Sequence, residues 1–511
     1  MKHFLFRALL VALSGTVVAA PPGANVSGET NTYTVTSIAA ETLDLAEPRL
    51  PDLSGYTRAA IEAKIRRDKP AVVAVHGIHG QDAMEQFIGS DNNMAEWVRR
   101  QHGIPQAIFI TGGYINLADL ARQLPQHLRE VEPGIYLARL PIVVIQGATL
   151  HIDAKTRELR LSQEGGAFLV NDGKLFVVGT KVTAWREADN GPARFRKSSE
   201  FRPFLISWGG SETYIANSSI SSFGYDKAKS YGISISQYPP GQMKKMAREE
   251  PGGWIIDSEF VDMWYGFYCY EARDFVIKGN TYRDNIVYGV DPHDRSHGLI
   301  IAGNTAHGTK KKHGIIVSRE VNDSFIFNNL SYDNKLSGIM LDRASINNVV
   351  AYNEVRENHA NGIALYESGH NLLWGNRVVN NATQGIYVRN SENVRLYENN
   401  IVGNGLSGVF AQIQDLSAGE MRDLELDPYE QKLSITVVGG QLVSNGSGPL
   451  SIRSADSVVL HRVEMLQPKK SSGISLGGVL GERQEEILDL LVRQRKAVRI
   501  APRGNLPAAR D

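Results

Sequence analysis

Seven glycines recur at an almost constant interval through the second half of the chain, and each begins a short apolar segment. Their successive spacings are 23, 25, 24, 24, 23 and 23 residues. The repeated glycines are Gly266, Gly289, Gly314, Gly338, Gly362, Gly385 and Gly408. A fixed period of this length is typical of a solenoid, in which each repeat buries its apolar face by stacking on its neighbours.

Asparagines mark two further fixed points of each repeat. One precedes the middle strand of the unit, and another stands four residues ahead of most of the glycines. The first set is Asn280, Asn304, Asn329, Asn353, Asn376 and Asn399, and the second is Asn285, Asn334, Asn358, Asn381 and Asn404. Because a side-chain amide both donates and accepts hydrogen bonds, stacked asparagines can satisfy one another. We expect nearly all of them to hold turns and to take no part in chemistry.

The segments between these points are short, β-branched and interrupted by Gly, Asn and Asp, which favours strands over amphipathic helices. One coil of several strands would pair with the next coil at about 4.8 Å. Crossovers between parallel strands are right-handed. The sequence therefore predicts an all-β fold, a right-handed parallel β-helix with a mixed N-terminal cap and a C-terminal helical cap.

Composition limits what the molecule can bind as a whole. Lys plus Arg and Asp plus Glu number 55 each, so the formal net charge is +0. Any polyanion must therefore meet a local patch, and we expect no nucleic-acid partner. The chain has one cysteine, Cys269, so it cannot form an internal disulfide and must be stable by packing.

The N-terminus resembles an export signal. The cations Lys2 and Arg7 precede an apolar stretch at residues 8–18. The small residues Ala19 and Ala20 follow this stretch. This stretch is too short to span a bilayer as a mature helix, and no other stretch qualifies. We therefore expect a periplasmic protein whose mature chain has no membrane span.

Four regions are predicted along the chain. They are a signal peptide at 1–20, an N-terminal cap with early β-helix coils at 21–200, the β-helix with its groove at 201–480, and a C-terminal helical cap and tail at 481–511. A solenoid gains length without a larger core, so 491 residues after the signal can form one domain.

Local patterns give more detail at the N-terminal end. Residues 33–45 and 70–78 are predicted to be strands, and residues 55–68 and 91–101 are predicted to be helical. Together they would cover the open end of the coil, where strand edges would otherwise be unpaired. The dipeptide Asp172-Gly173 resembles a hairpin turn.

Two insertions interrupt the repeat farther along. Residues 237–253 carry several cations and are predicted to overhang the lateral groove, and a second insertion lies between Ala411 and Leu433. Residues 482–495 form a charged amphipathic pattern that predicts a helix closing the far end.

One repeat breaks the apolar pattern with the tetrapeptide Asp291-Pro292-His293-Asp294. The first and third residues after each repeated glycine are apolar, so we predict that they point inward and that the second and fourth point outward. Asp291 and His293 then share the outer face. Arg319 ends the equivalent strand of the next repeat, one coil along.

Aromatic and cationic residues recur along the same outer positions. Such a stripe resembles a groove for a charged sugar chain, with tyrosines facing the rings and cations facing the carboxylates. The candidate substrate contacts are Tyr288, Lys312, His313, Arg343, Tyr366, Tyr387 and Arg389. The run at 310–313 is predicted to lie on the same edge of the groove as Arg319.

The tetrapeptide, the repeats that follow it, the downstream Ser318-Arg319-Glu320 and the export signal closely resemble the periplasmic mannuronan C5-epimerase family of bacterial alginate biosynthesis. The resemblance covers essentially the whole mature chain. It implies a right-handed β-helix that converts mannuronate to guluronate within polymannuronate or alginate, without calcium or another cofactor. It also implies contact with components of the periplasmic alginate export complex.

The same resemblance implies roles for individual residues. His293 corresponds to the general base, Arg319 to the cation that neutralises the substrate carboxylate, and Asp291 to a supporting residue. Asp294 completes the motif.

The chemistry also follows from the residue types. Inverting C5 of a uronate removes a proton α to a carboxylate, which adds a second negative charge beside the first. A bidentate arginine such as Arg319 offsets that charge well, because its fork matches both oxygens and stays protonated. Imidazole titrates near neutrality, so His293 can take the proton and return it.

Two details of this chemistry stay open at the level of sequence. Either Asp291 or Asp294 could bond the second ring nitrogen of His293. Inversion also requires a proton donor on the opposite ring face, and water, Tyr288 and Tyr366 are all candidates.

Other interpretations compete with this one. A polysaccharide lyase shares both first steps and then expels the C4 oxygen, and a non-catalytic scaffold would only bind polymer during export. Arg319 could simply form a surface ion pair with Asp294. Asp291, His293, Asp294 and His297 could instead bind a metal, because carboxylates and imidazoles suit several cations.

Overall fold

The structure is a computed structural model that describes residues 33–84, 94–418, 423–425, 427–467 and 473–504. The predicted signal peptide and the last residues of the predicted C-terminal tail lie outside this range.

The chain coils through three long sheets, which confirms the right-handed parallel β-helix. In stacking order, sheet 1 contains Tyr33–Ile38, Ala497–Pro502, Ser457–His461, Ser434–Val438, Val394–Tyr397, Leu372–Trp374, Val349–Ala351, Phe325–Phe327, Ile300–Ala302, Val276–Lys278, Gly252–Ile256, Glu212–Ala216, Lys174–Val178, Ala148–Ile152 and Gly113–Asn116.

Sheet 2 contains Val72–Gly77, Gln106–Thr111, Ile142–Val144, Leu169–Asn171, Leu205–Ser207, Gly232–Ser236, Tyr265–Tyr270, Tyr288–His293, Ile315–Ser318, Ile339–Asp342, Ile363–Tyr366, Ile386–Arg389, Ser407–Gln412, Gly448–Ile452 and Gly477–Gly478. Sheet 3 contains Glu464–Leu466, Gln441–Val443, Asn400–Val402, Arg377–Val379, Glu354–Arg356, Leu330–Tyr332, Thr305–His307, Thr281–Arg283, Glu259–Val261, Ser219–Ser221, Lys181–Arg186, Glu158–Ser162, Ile135–Ala138 and Leu128–Glu132, with Gly191–Pro192 beside Lys181–Arg186.

Helices are short in the part of the chain that the structure describes. The α-helices are Arg58–Glu62, Met94–Gln101, Leu117–Gln123, Pro240–Met246 and Gln484–Leu488. Single turns of 3-10 helix lie at Ala40–Leu43, Asp82–Met84, Glu187–Asp189 and Gly481–Arg483, and a π-helical turn lies at Asp489–Arg493. The helix predicted at 482–495 corresponds to three consecutive segments, namely Gly481–Arg483, Gln484–Leu488 and Asp489–Arg493.

Inward side chains of successive coils form one continuous apolar core. In sheet 2, Ile315, Ile339, Ile363 and Ile386 pair in register and are fully buried. Their outward neighbours Ile316 and Met340 pack in a separate cluster outside the coil. This division confirms the predicted alternation of inward and outward positions.

The asparagines form the predicted ladders. The side chain of Asn280 donates to the side-chain oxygen of Asn304 at 3.1 Å and to the backbone oxygen of Ile255 at 2.8 Å. Asn304 repeats the same pair of bonds toward Asn329 and Ile277. These buried amides are satisfied by the next coil and by the backbone, so they stabilise the turns.

The repeated glycines have a steric cause that involves the second asparagine set. A Cβ atom on Gly338 would collide with Val355 and lie 2.6 Å from the side-chain nitrogen of Asn358. The same atom on Gly362 would collide with Val378 and lie 2.8 Å from that of Asn381. Glycine and asparagine therefore recur together because the ladder occupies the space of a side chain.

The strand Tyr33–Ile38 lies at the C-terminal end of the solenoid, so its assignment to the N-terminal cap is wrong. It pairs antiparallel with Ala497–Pro502, and the Tyr33 hydroxyl donates to the Ala455 backbone oxygen at 3.0 Å. Ala497–Pro502 in turn pairs antiparallel with Ser457–His461 of the last coil, so these two strands extend sheet 1 beyond the repeat.

From that strand the chain runs back along the outer face of sheet 1. We call residues 39–57 the N-terminal strap. Leu43 and Leu45 pack on Leu372 and Tyr397 in one cluster. Nearer the N-terminal end, Tyr56 makes an edge contact with Trp254 at 4.8 Å between ring centroids. The strap therefore spans many coils of the solenoid.

The N-terminal end is capped by other elements. Val72–Gly77 pairs antiparallel with Gln106–Thr111, as predicted for a cap strand. Parallel pairing already begins there, with Ile108 opposite Ile142.

The dipeptide Asp172-Gly173 is not part of a hairpin. It turns the chain from Leu169–Asn171 in sheet 2 to Lys174–Val178 in sheet 1, and both strands pair parallel with neighbouring coils. Asp172 instead meets the first insertion, whose Arg248 lies 3.2 Å from its carboxylate. The insertion thus packs on the first coils, and its Lys245 pairs with Asp82 at 2.9 Å.

Candidate active site

The tetrapeptide lies on the sheet 2 strand Tyr288–His293. His293 is in register with Tyr270 of the preceding coil and with Ser318 of the following coil. Its side chain is 25% exposed, whereas Asp291 is 2% exposed. His293 therefore borders solvent on the outer face, as predicted, and Asp291 lies beneath that surface.

Asp294 orients the His293 imidazole. The ring nitrogen Nδ1 lies 2.5 Å from Asp294 Oδ2. Burial would raise the pKa of Asp294, but the His293 hydrogen bond and the charges of Arg319 and Lys229 outweigh it, so that the pKa is below its usual value. An ionised Asp294 holds the proton on Nδ1 and leaves Nε2 free to accept one. Asp294, and not Asp291, is thus the partner of His293.

Asp291 has a different environment. Its Oδ1 atom is buried, and no hydrogen-bond partner for it occurs among the residues described by the structure. Burial raises the pKa of Asp291 to about 7, against the opposing charges of His293 and Lys312. A carboxyl group of this kind is largely protonated in mildly acidic solution and adds little negative charge below the site.

Arg319 stands at the end of the next strand. Arg319 is exposed, and its guanidinium makes no hydrogen bond or ion pair with any residue in the described part of the chain. The predicted alternative of an ion pair with Asp294 is therefore wrong, although the Arg319 charge contributes to the low pKa of that carboxyl. Arg319 remains available to an external anion.

Both edge residues adopt a strained backbone. Asp294 has φ of 35° and Arg319 has φ of 60°, in the left-handed region where the sheet 2 strands end. A side chain in this region costs roughly 1–2 kcal/mol relative to glycine. These conformations turn the chain toward sheet 1 and leave the Asp294 and Arg319 side chains at the groove edge.

The neighbouring arginines are engaged within the protein. Arg343 lies 3.0 Å from Asp427, and Arg389 lies 2.6 Å from Glu367 with its guanidinium carbon 4.0 Å from the Tyr366 ring centroid. Asp427 belongs to the second insertion, which therefore reaches the groove edge.

Aromatic rings line the groove beyond these residues. The Tyr366 and Tyr387 ring centroids are 5.1 Å apart, and Tyr387 has the same separation from Phe410. Tyr366 lies three strands along from His293, which is roughly 14 Å at the usual interstrand spacing. Tyr366 is therefore too distant to protonate the sugar ring from which His293 takes a proton.

The predicted lysine run borders the groove at the opposite edge from Arg319, so its placement on the same edge is wrong. It lies where the chain enters sheet 2, whereas Arg319 lies where the chain leaves it. Lys312 Nζ is 3.2 Å from the Tyr288 hydroxyl, and the Tyr288 ring stacks on His313 at 6.1 Å. Burial lowers the pKa of His313 to about 3, so this ring is neutral.

A cavity of about 550 Å³ opens at the Arg319 edge. It is bounded by the turns that follow the sheet 2 strands and by the second insertion. Its lining includes Asp294, Arg319, Arg343, His370, Tyr429 and Lys432. Both cations and carboxylates therefore line the wall beside the His293 strand.

Comparison with known proteins finds one family model and several similar proteins. Residues 214–415 match a family described as periplasmic copper-binding protein (NosD), which is less than half of the chain. A mannuronan C5-epimerase from Pseudomonas putida is 62% identical over 505 residues, covering 98% of this chain and 97% of that protein. One from Pseudomonas aeruginosa is 64% identical over 475 residues, covering 93% and 87%.

A solved structure is similarly close. The crystal structure of the periplasmic alginate epimerase AlgG has a TM-score of 0.82 and 60% identity, and the match covers 83% of this chain and 100% of that one. This chain belongs to the mannuronan C5-epimerase family. The expectation of an isomerase, and specifically an epimerase, is confirmed.

The epimerase carries one groove residue, Lys229, that the sequence pattern did not predict. Lys229 Nζ lies 3.5 Å from the Tyr270 ring centroid and 5.4 Å from that of Tyr268. The Tyr268 ring is 6.0 Å from the His293 ring. Tyr268 and Tyr270 occupy outward positions, as the alternation of the repeat predicts, whereas Lys229 lies in an irregular loop before the regular repeats.

Burial lowers the pKa of Lys229 to about 7, although the charges of Asp294 and Glu271 oppose that shift. An ammonium group with such a pKa loses its proton near neutrality. Lys229 is thus a titratable cation beside the candidate base.

The metal interpretation of the tetrapeptide has no geometric support. Within the described ranges, no group of three or more His, Cys, Asp or Glu side chains is close enough together to hold a metal ion. The same ranges contain no helix long and apolar enough to cross a bilayer.

Proposed function

We propose that this epimerase converts β-D-mannuronate residues to α-L-guluronate within polymannuronate or alginate. The observation that carries the proposal is the pairing of an Asp294-oriented His293 with an unpaired Arg319 one strand away. The names of the close relatives support the substrate.

His293 removes the C5 proton in this mechanism. Its Nδ1 proton is held by Asp294, so Nε2 carries the free lone pair. The low pKa of Asp294 keeps that carboxyl ionised at neutral pH, which stabilises the imidazolium formed after proton transfer.

Arg319 stabilises the charge that develops. Loss of the C5 proton moves an electron pair into the substrate carboxylate, and a bidentate guanidinium holds both oxygens of that group. Since Arg319 has no partner among the described residues, it can bind the substrate without first breaking an ion pair.

Asp291, which is buried next to His293, limits the negative charge near the substrate carboxylate. Burial raises its pKa to about 7, so it is neutral over part of the working range and adds little repulsion toward the substrate carboxylate. Ionisation of Asp291 at higher pH would oppose formation of the dianionic intermediate.

The remaining groove residues bind the polymer on either side of the reacting sugar. Tyr366 and Tyr387 offer ring faces, and Arg343 and Arg389 offer cations whose internal partners a uronate carboxylate can replace. On the opposite edge, Lys312, His313 and Tyr288 contact the same chain; His313 acts as a neutral ring.

We further propose that the protein works in the periplasm with components of the alginate export machinery, and that it needs no calcium or other cofactor. The export-like N-terminus supports the location, as does the name of the solved relative, a periplasmic alginate epimerase.

Incubation with polymannuronate in deuterated water plus a chelator tests the proposal. Proton NMR follows guluronate, and ultraviolet absorbance follows unsaturated uronate. Guluronate with deuterium at C5 and constant absorbance is the expected result. Rising absorbance would identify a lyase, and no change in either signal would favour a polymer-binding scaffold.

A further inference from the structure

The groove on the outer face of sheet 2 ends shortly before His293. Ser234 and Ser236 are the outward residues two coils before His293, and both are fully buried. Ile206, which pairs with Ser234 from the coil before that, lies in an apolar cluster against which the helix Pro240–Met246 of the first insertion packs. A polymer on sheet 2 therefore cannot continue toward the N-terminal end of the solenoid.

The coil directly before the candidate base is partly covered as well. The Tyr231 ring makes an edge contact with Tyr268 at 5.0 Å between centroids, and Lys229 Nζ lies 3.5 Å from the Tyr270 ring centroid. Both covering residues belong to the loop 222–231, which leads from sheet 3 to sheet 2. Sugars on this side of the reacting residue therefore leave the sheet 2 face over one of its two edges.

On the C-terminal side of His293 the same face stays open. The rings of Tyr366, Tyr387 and Phe410 follow one another at 5.1 Å between centroids, and all three residues are partly exposed. The groove is thus asymmetric, with several coils on one side of the reacting sugar and about one on the other.

The sheet 1 edge of the closing coils offers no free cation. Arg295 pairs with Glu271 at 2.5 Å, and Arg273 lies 3.7 Å from Glu250. An arriving carboxylate would have to displace these acids, so this edge does not favour a departing polyuronate.

The sheet 3 edge has an excess of positive charge. Lys310 and Lys311 are exposed there, and Lys311 Nζ lies 5.5 Å from the Phe195 ring centroid. Arg194 and Lys197, which stand on either side of Phe195 in the sequence, are exposed too. We call these four cations, Arg194, Lys197, Lys310 and Lys311, the basic corner.

The nearby acids leave most of this charge uncompensated. Asp262 lies 3.5 Å from Lys310, but its carboxylate is also paired with the buried Arg202 at 2.9 Å. The other three cations of the basic corner form no ion pair with any residue that the structure describes. The corner is therefore open to an external polyanion.

We infer that the basic corner binds the segment of the polyuronate chain that has left the groove beside the reacting sugar. The inference rests on the proposed function, since it concerns the same polymer and the same reaction. His293 then works where the polymer turns from the sheet 2 face over the corner with sheet 3. Carboxylates recur along a polyuronate, and flexible lysines hold them as point charges without a fixed geometry.

Neutralising two cations of the corner tests this assignment. Lys310→Gln/Lys311→Gln removes two positive charges, and Lys174→Gln/Lys278→Gln removes two from sheet 1 as the matched control. A second pair, Arg194→Gln/Lys197→Gln, repeats the test on the neighbouring loop. Long polymannuronate is the probe, and NMR of guluronate gives kcat and KM at low and high salt.

Each corner variant should raise KM for polymannuronate by about 3- to 10-fold, as expected for the loss of two exposed ion pairs. The kcat should stay near that of the wild type, because His293 and Arg319 are unchanged. In high salt the difference in KM should shrink below about 2-fold, since salt screens exposed charges. The sheet 1 control should match the wild type throughout.

Oligomannuronates of defined length give a readout that general charge attraction does not change. In deuterated water the reacted sugar carries deuterium at C5, and tandem mass spectrometry locates it along the oligomer. In the wild type the label should lie several sugars from one end, because those sugars occupy the basic corner. In the corner variants it should move toward that end.

Several outcomes would overturn the inference. They are an unchanged KM in both corner variants, an equal rise in KM in the sheet 1 control, a fall in kcat at constant KM, or a label that stays in place while KM rises. Failure of the proposed function is distinguishable, because the wild type itself would then form no guluronate from polymannuronate.

Discussion

Sheets 1 and 2 are built from the same repeat, yet their outer faces differ. On sheet 1, the strap residues Leu50 and Leu53 pack against Phe325 and Trp374. On sheet 2, the equivalent outward positions carry His293 and the residues beside it, and His293 keeps 25% of its surface exposed. The coil supplies the same frame on both sides, and the packing of other segments decides which face performs chemistry.

The edge of sheet 2 repeats this contrast on a smaller scale. Arg319 and Arg343 occupy the same position in adjacent coils, and both have left-handed backbones. Arg343 pairs with Asp427 at 3.0 Å, whereas Arg319 has no such partner in the described chain. The position is shared, and the difference in pairing supports the proposal that Arg319 is the cation for the reaction.

The largest expected effect comes from replacing the proposed base, His293, on sheet 2. A matched histidine on sheet 3, His307, serves as the control. His293→Asn should reduce the guluronate formation rate by about 10³-fold, in the range for loss of a general base. His307→Asn, which alters a ring stacked on Tyr332 at 4.7 Å, should leave the rate unchanged. Equal rates in the two variants, measured by NMR with polymannuronate, would remove His293 from the mechanism.

The second test compares the two arginines. Arg319→Ala should lower kcat by about 10²-fold or more, because it removes stabilisation of charge that develops only in the transition state. Arg343→Ala should change mainly KM, and by less than about 10-fold, because its cation is already paired. A larger kcat loss in Arg343→Ala would reverse the assignment of the two cations.

These two tests involve positions that sequence alone could locate. The glycine period and the alternation of apolar residues are local patterns, so they predict the coil and bring Asp291, His293 and Arg319 to one face. The choice of Asp294 as the partner of His293 depends on the turn that follows the strand, where Asp294 has φ of 35°. The left-handed turn recurs at this position in successive coils, but the repeat does not determine which carboxylate the His293 ring meets.

Longer-range features were also beyond sequence reasoning. Tyr33–Ile38 pairs with Ala497–Pro502, and an antiparallel contact between the two chain ends leaves no repeat to detect. Lys229 precedes the regular glycine series and reaches the groove through an irregular loop. Such placements depend on tertiary packing.

A third prediction concerns stability and the buried Asp291. Its folded pKa of about 7 is above the ordinary value of 3.8, so its contribution to stability is full below pH 4 and is lost as pH rises toward 7. Between pH 5 and pH 8, the free energy of unfolding of the wild type should fall by a few kcal/mol more than that of Asp291→Asn. This magnitude follows from the difference between the folded and ordinary pKa values of Asp291. Urea unfolding at both pH values measures this, and identical pH dependence in both proteins would contradict it.

The smallest expected effect concerns the N-terminal strap that packs on sheet 1. Replacing Leu50 and Leu53 by Ser should lower Tm by roughly 5 °C, because two half-buried side chains lose apolar contact with the sheet. Val492→Ser, at a residue that is 55% exposed, should change Tm little. The kcat of both variants should match the wild type, and a loss of activity in the strap variant would show that the covered face is coupled to the groove.

The central claim is that His293 takes the C5 proton while Arg319 holds the carboxylate. Its most direct test is the initial rate of deuterium entry at C5 of polymannuronate in deuterated water, compared among wild type, His293→Asn and Arg319→Ala. Entry should be rapid in the wild type and at least about 100-fold slower in both variants. Entry at the wild-type rate in either variant would contradict the account.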